Sequence, residues 1–277
     1  MSGNKDINYK ALRLIVGSIA ISIAIVTTIM FGLHNSKFMI PTSISVTYHL
    51  GARDFFVGSL FAVGSFLIAY NGFSKTEKVL AKIAGILAIF VAVFPTTLNL
   101  NWIDSAKIPF DTQYCKNLHS DDGFIRTLED KSICNTTGSK VTPYIHYTSA
   151  VLLITILFYY CLGFANRAND KLKKHPNLHR IRIRFWIYKL CAGAMVLSGI
   201  YLILSKWLDN SPDNTAVFWV EFVCLWAFGI SWLVASKRLP LISYKENEED
   251  AADKELEEEQ ELKEMAEVKI KKEKSSF

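Results

Sequence analysis

The chain has 277 residues, of which 51% are hydrophobic and 13% aromatic, and it carries a formal net charge of +5. It is too apolar to be disordered. Its charges are segregated, with six stretches of 18 to 24 residues holding almost none, and this excludes a water-soluble enzyme built around one mixed core.

A helix crossing a ~30 Å hydrocarbon layer needs about 20 apolar residues. The first such run is Leu14–Leu33, after a short segment (1–13) with Lys5, Lys10 and Arg13. It exceeds the ~7–15 apolar residues of a signal peptide, so it reads as a retained span. A loop with Ser45, Tyr48, His49, Arg53 and Asp54 leads to the second run, Phe55–Phe73. Lys75, Lys78 and Lys82 precede the third, Ile83–Leu100, in which Pro95 is expected to kink or end the helix and free a carbonyl. The 101–142 loop holds Cys115 and Cys134, whose spacing suggests a disulfide on an oxidising side, and Asn135-Thr136-Thr137, which matches a glycosylation acceptor. The fourth run is Pro143–Asn166, the fifth Phe185–Ser205 with Lys189 snorkelling near its boundary, and the sixth Ala216–Ser236 with Glu221. Cys161, Cys191 and Cys224 read as small apolar fillers.

Lys and Arg in the flanks set the orientation. One side carries fifteen, the other eight, so both termini (1–13 and 237–277) are expected in the cytoplasm. Trp102, Trp207 and Trp219 then fall at the outer interface, and Trp186 and Trp232 at the inner one. Gly58 with Ala62, and Ala84 with Ala88 and Ala92, are expected to line close helix contacts. The segment from Lys245 on has thirteen acidic and seven basic residues, so residues 1–244 carry +11. That positive balance suits membrane lipids, not nucleic acid. The acidic tail, with Leu256, Leu262, Met265 and Ile270 as a thin apolar stripe, is a candidate for docking a cytoplasmic protein.

The expected architecture is all-α: a polytopic integral membrane protein whose six transmembrane helices span residues 14–236. No P-loop occurs, which argues against an ATP-driven pump. Ionisable groups inside spans are costly and so mark candidate sites. His49, Arg53, Asp54, His146 and Glu221 come from remote segments to one outer layer. Glu221 should be protonated or paired with Arg53, His49 or His146. Asp54 could instead cap the second helix. Three readings share these residues. They could form a structural ion-pair cluster, or an outward-facing pocket for a lipid head group or small polar ligand with no cofactor. In the third, His49, His146 and a carboxylate hold zinc in a metal-dependent intramembrane lipid hydrolase.

Ser45-x-x-x-His49 followed by Asp54 resembles the pattern of the intramembrane hydrolase superfamily that includes alkaline ceramidases and adiponectin-type receptors. That resemblance implies the zinc reading. Those proteins have seven helices and a His-x-x-x-His pair on the last, and this chain has neither. A broader resemblance covers most of residues 43–236. It rests on Ser43-Ile44-Ser45, Tyr48-His49, Arg53 to Gly58, Ala84-Gly85-Ile86, Phe94-Pro95-Thr96, His146 with Ser149-Ala150, Tyr188, and Glu221 with Ala227 to Leu233. These residues resemble an uncharacterised family of bacterial multi-pass membrane proteins, a domain of unknown function. The resemblance implies a six-helix bundle in a bacterial inner membrane and implies no activity.

Overall fold

A computed structural model gives the fold and describes residues 9–35, 38–110, 133–134, 139, 141–174, 179–209, 211, 213–239, 258, 262 and 265–266. The chain is mostly helical. Helix α1 (Tyr9–His34) is followed by a 3-10 turn (Ser45–His49), α2 (Arg53–Ala69) and α3 (Lys75–Val93). Strand β1 (Leu98–Asn99), short α4 (Leu100–Ser105) and β2 (Ile133–Cys134) come next, then α5 (Val141–Lys174), α6 (His179–Leu208) and α7 (Ala216–Ala235). The two short strands pair antiparallel, Leu98 opposite Cys134.

Among the described residues four helices are long and apolar enough to cross a membrane: Lys10–His34, Val141–Lys174, His179–Leu208 and Ala216–Ala235. Helix α2 has 17 residues, about 25 Å at 1.5 Å each, and α3 spends its first half on Lys75, Glu77, Lys78 and Lys82. The third helix therefore begins and ends earlier than the expected run of 83–100. It starts at a capping signal: Ser74 Oγ accepts from the Glu77 amide at 3.2 Å, and the Glu77 carboxylate accepts from the Phe73 amide at 3.0 Å. It stops before Pro95, because the residue preceding a proline is driven out of the helical region, and Phe94 is extended at φ −98°, ψ 100°. Helices α5 and α6 overrun their apolar cores, since the Lys and Arg that end a hydropathy run are good helix formers.

The six long helices close into a ring in the order α1, α2, α3, α5, α6, α7, with α7 returning to α1 and α5 also meeting α7. Two glycine pairs set the closest crossings. A Cβ on Gly85 would sit 2.5 Å from the Gly64 carbonyl oxygen, and one on Gly17 would sit 2.7 Å from that of Gly229. Only glycine lets α2 approach α3, and α1 approach α7, so closely. Ala84, Ala88 and Ala92 are all buried, and Ala88 lies against Gly64 of α2. Gly58 is not at a seam: nothing lies within 4 Å of where its side chain would be. Two of the tryptophans assigned to interfaces face the protein and not the outside of the bundle. Trp232 is fully buried among Tyr70, Tyr160, Phe164 and Phe228, and Trp102 is buried against Phe31.

Candidate functional site

The end of the bundle that carries Pro95 collects the expected site residues. Pro95 has no amide hydrogen, so the Val91 carbonyl loses its helical donor. His146, buried in the first turns of α5, replaces it. Its Nδ1 donates to Phe94 O at 2.7 Å and lies 3.2 Å from Val91 O. Carbonyls only accept, so Nδ1 carries the proton. His49 does the same one step on, with Nε2 donating to Thr96 O at 2.8 Å. The Tyr147 hydroxyl accepts from Thr96 Oγ1 at 2.8 Å and lies 2.9 Å from Thr97 Oγ1. The two histidines thus satisfy backbone carbonyls where the helix is broken, and Tyr147 ties down the threonine hydroxyls beside them. Burial pushes the His49 imidazole below its ordinary pKa; the Thr96 hydrogen bond opposes this and the Arg53 charge adds to it.

Glu221 is part-buried one turn into α7 and pins a different segment. Its carboxylate accepts from the Ile44 amide and from Ser45 Oγ, the latter at 3.0 Å. These donors open the 3-10 turn, where a carboxylate meets free amide groups. The Phe218 amide donates to Thr42 O at 3.1 Å, so α7 holds this loop twice. Among the described residues Glu221 makes no ion pair with Arg53, His49 or His146, so the pairing expected as the alternative to protonation is corrected: backbone and hydroxyl donors are its partners.

Arg53 and Asp54 open α2 and are both exposed. The Arg53 guanidinium stacks over the Tyr48 ring at 5.0 Å. Asp54 does not cap the helix: Ala52 holds that position and no side chain bonds there. The two charges line a cleft of about 510 Å³, together with Tyr48, Val57, Gly58, Ala92 and Val93. Of the five expected ligand-binding residues, the cleft takes these two; His49, His146 and Glu221 bond the loop and helix framework beside it. For zinc, His49 and His146 each already commit a ring nitrogen to a carbonyl. No group of three or more His, Cys, Asp or Glu that could hold a metal occurs among the described residues.

The sequence reading missed the opposite end. Glu77, buried at the start of α3, forms an ion pair with Arg167 of α5. Arg167 stacks on Phe73 at 5.1 Å and Phe164 at 5.0 Å. Arg13 of α1 donates to Tyr70 Oη at 2.8 Å and to Ala235 O at 3.0 Å, and lies 5.8 Å from the Phe164 ring centre. The Tyr160 hydroxyl donates to Glu77 O at 2.6 Å. A side chain on Gly163 would meet the Glu77 carboxylate at 3.4 Å, so a bare position on α5 makes room for it. The signal was present as Ser74-x-x-Glu77, a lone acid among lysines in capping-box register.

Cys115, Asn135, Leu256 and Ile270 lie outside the described residues, while Cys134 is buried in β2. Cys161, Cys191 and Cys224 are free and buried, with Cys161 Sγ 3.3 Å from Ser231 Oγ.

Comparison of the chain with protein-family models, curated proteins and solved structures finds no match.

Proposed function

We propose that this chain is a six-helix membrane protein, with both termini in the cytoplasm, that holds the head group of a zwitterionic phospholipid in the Arg53–Asp54 cleft. Insertion of α2 and α3 with the four longer helices is supported by the closed ring, in which α2 packs on α1 and α3 on α5. The observation that carries the ligand reading is the make-up of the cleft. Its rim offers a cation, an anion and an aromatic ring (Arg53, Asp54, Tyr48), and its wall is Val57, Gly58, Ala92 and Val93. Arg53 matches a phosphate as a planar donor. Asp54 matches an ammonium or amine one residue on. The bare Gly58 leaves open space for the first segment of an acyl chain. His49, His146 and Glu221 serve the same site by fixing the loop and the broken helix that frame it. The reading includes a Cys115–Cys134 disulfide, supported by the burial of Cys134 in β2, opposite Leu98.

Native mass spectrometry of protein extracted with its lipids tests this reading. Arg53→Ala with Asp54→Ala is expected to lower bound phospholipid by about tenfold or more, equal to ~1.4 kcal/mol, at unchanged melting temperature. Lipid retained at the wild-type level by a folded double variant contradicts it.

A further inference from the structure

The Glu77 end of the bundle is basic well beyond the cluster described above. Helix α5 has 34 residues and α6 has 30, about 51 and 45 Å. Both exceed a ~30 Å hydrocarbon layer, so each carries a polar extension at this end. Seven Lys and Arg lie between positions 167 and 184 against a single acid, Asp170. Asp170 pairs with Lys173 at 3.2 Å, with both side chains more than half exposed. Glu77, the one acid near the start of α3, is already held by Arg167. Lys78, Lys82, Lys173, Arg180 and Arg182 are exposed around this end.

The chain returns to the same place. Ala235 at the end of α7 accepts from Arg13, and Leu239 packs on the core. Between positions 246 and 267 there are twelve acidic and two basic residues. The seven-residue step from 239 to 246 reaches about 23 Å when extended. Leu262 and Met265 are helical and exposed, so these two apolar side chains are not buried on the bundle. What the tail offers the bundle is charge.

We propose that segment 246–267 docks on the basic face formed by the start of α3, the end of α5 and the start of α6 of its own chain. The contact is electrostatic and therefore sensitive to salt. It competes with anionic lipid head groups, each basic residue near such a surface being worth about 1 kcal/mol. The tail is thus an internal counter-ion that sets how strongly this face engages an acidic membrane. The inference is independent of the lipid cleft at the Pro95 end.

A water-soluble carbodiimide joins a carboxylate to an amine only in direct contact. Full-length chain in neutral detergent, mixed from light- and heavy-isotope preparations, is the sample. The expected result is links from 246–267 to Lys78, Lys82 or Lys173 within one isotope class. Their yield should fall about fivefold or more between roughly 0.05 and 0.5 M salt, as the screening length shortens. Arg180→Glu with Arg182→Glu removes no amine, yet should cut the same lysine links to a similar degree at unchanged melting temperature. Links confined to the tail, links joining light to heavy chains, or a yield indifferent to salt and to the two arginines would overturn the proposal.

Discussion

At the Pro95 end, His49, His146 and Tyr147 serve the polar groups of a broken helix, and Glu221 accepts from a loop amide. At the Glu77 end, two arginines lie over the faces of Phe73, Phe164 and Tyr70, and one of them pairs with the Glu77 carboxylate. Both ends are polar clusters at the rim of an apolar bundle, but their energetics differ. Repair of a carbonyl by a neutral donor involves little charge desolvation, and another donor can replace it. The Glu77–Arg167 pair joins a buried carboxylate to a part-buried guanidinium, so it carries more charge desolvation and either partner left alone is expensive. The cluster most important for stability is therefore not the one most suggestive of a site.

The largest effect that tests this contrast is at Glu77. Glu77→Ala leaves Arg167 unpaired and should cost ~3–5 kcal/mol, measured as a fall in melting temperature in detergent. Glu77→Gln with Arg167→Met should recover much of that loss, because no uncompensated charge remains. Next are the crossings: Gly85→Ala pushes a Cβ onto the Gly64 carbonyl and should cost ~1–3 kcal/mol. Gly58→Ala meets nothing and should be neutral or gain up to ~1 kcal/mol of helix propensity.

His146→Ala should cost ~1–3 kcal/mol, the penalty of carbonyls left without a donor. Adding Pro95→Ala restores an amide that can serve Val91 and should return part of the loss. The cycle is read from the four melting temperatures, and strict additivity would break the repair account. The smallest effect is with pH. The folded-state pKa of His49 lies below its unfolded value, so the unfolded chain binds the proton more readily. Stability is full above the unfolded pKa of ~6.5 and falls as pH drops below it. His49→Gln should flatten that part of the melting profile between pH 7 and 5.

Much of the fold is legible as hydropathy, because a helix with no charge for twenty residues has few alternatives. Helices α1, α5 and α6 cover their expected runs, and α7 stops one residue short of its run, at Ala235. The third helix was displaced because a hydropathy window records where charges stop, while helix boundaries follow capping and proline. Pro95, His146 and the freed carbonyl were placed together correctly, since all lie at span ends whose depth follows from connectivity. Which atoms meet was not legible: depth is one coordinate, and azimuth around each helix depends on packing such as Gly64 against Gly85. Glu77 was hidden for a related reason. It sits among Lys75, Lys78 and Lys82, and the positive-inside pattern reads that stretch as solvated.

The contrast between the ends requires that α2 and α3 cross the membrane with the other four long helices. Thr76, exposed at the start of α3, is the position to probe, as Thr76→Cys labelled in intact cells by a membrane-impermeant thiol reagent. With six crossings the new cysteine is cytoplasmic and reacts only after permeabilisation. Full labelling in intact cells would put the α2–α3 hairpin outside and contradict the account.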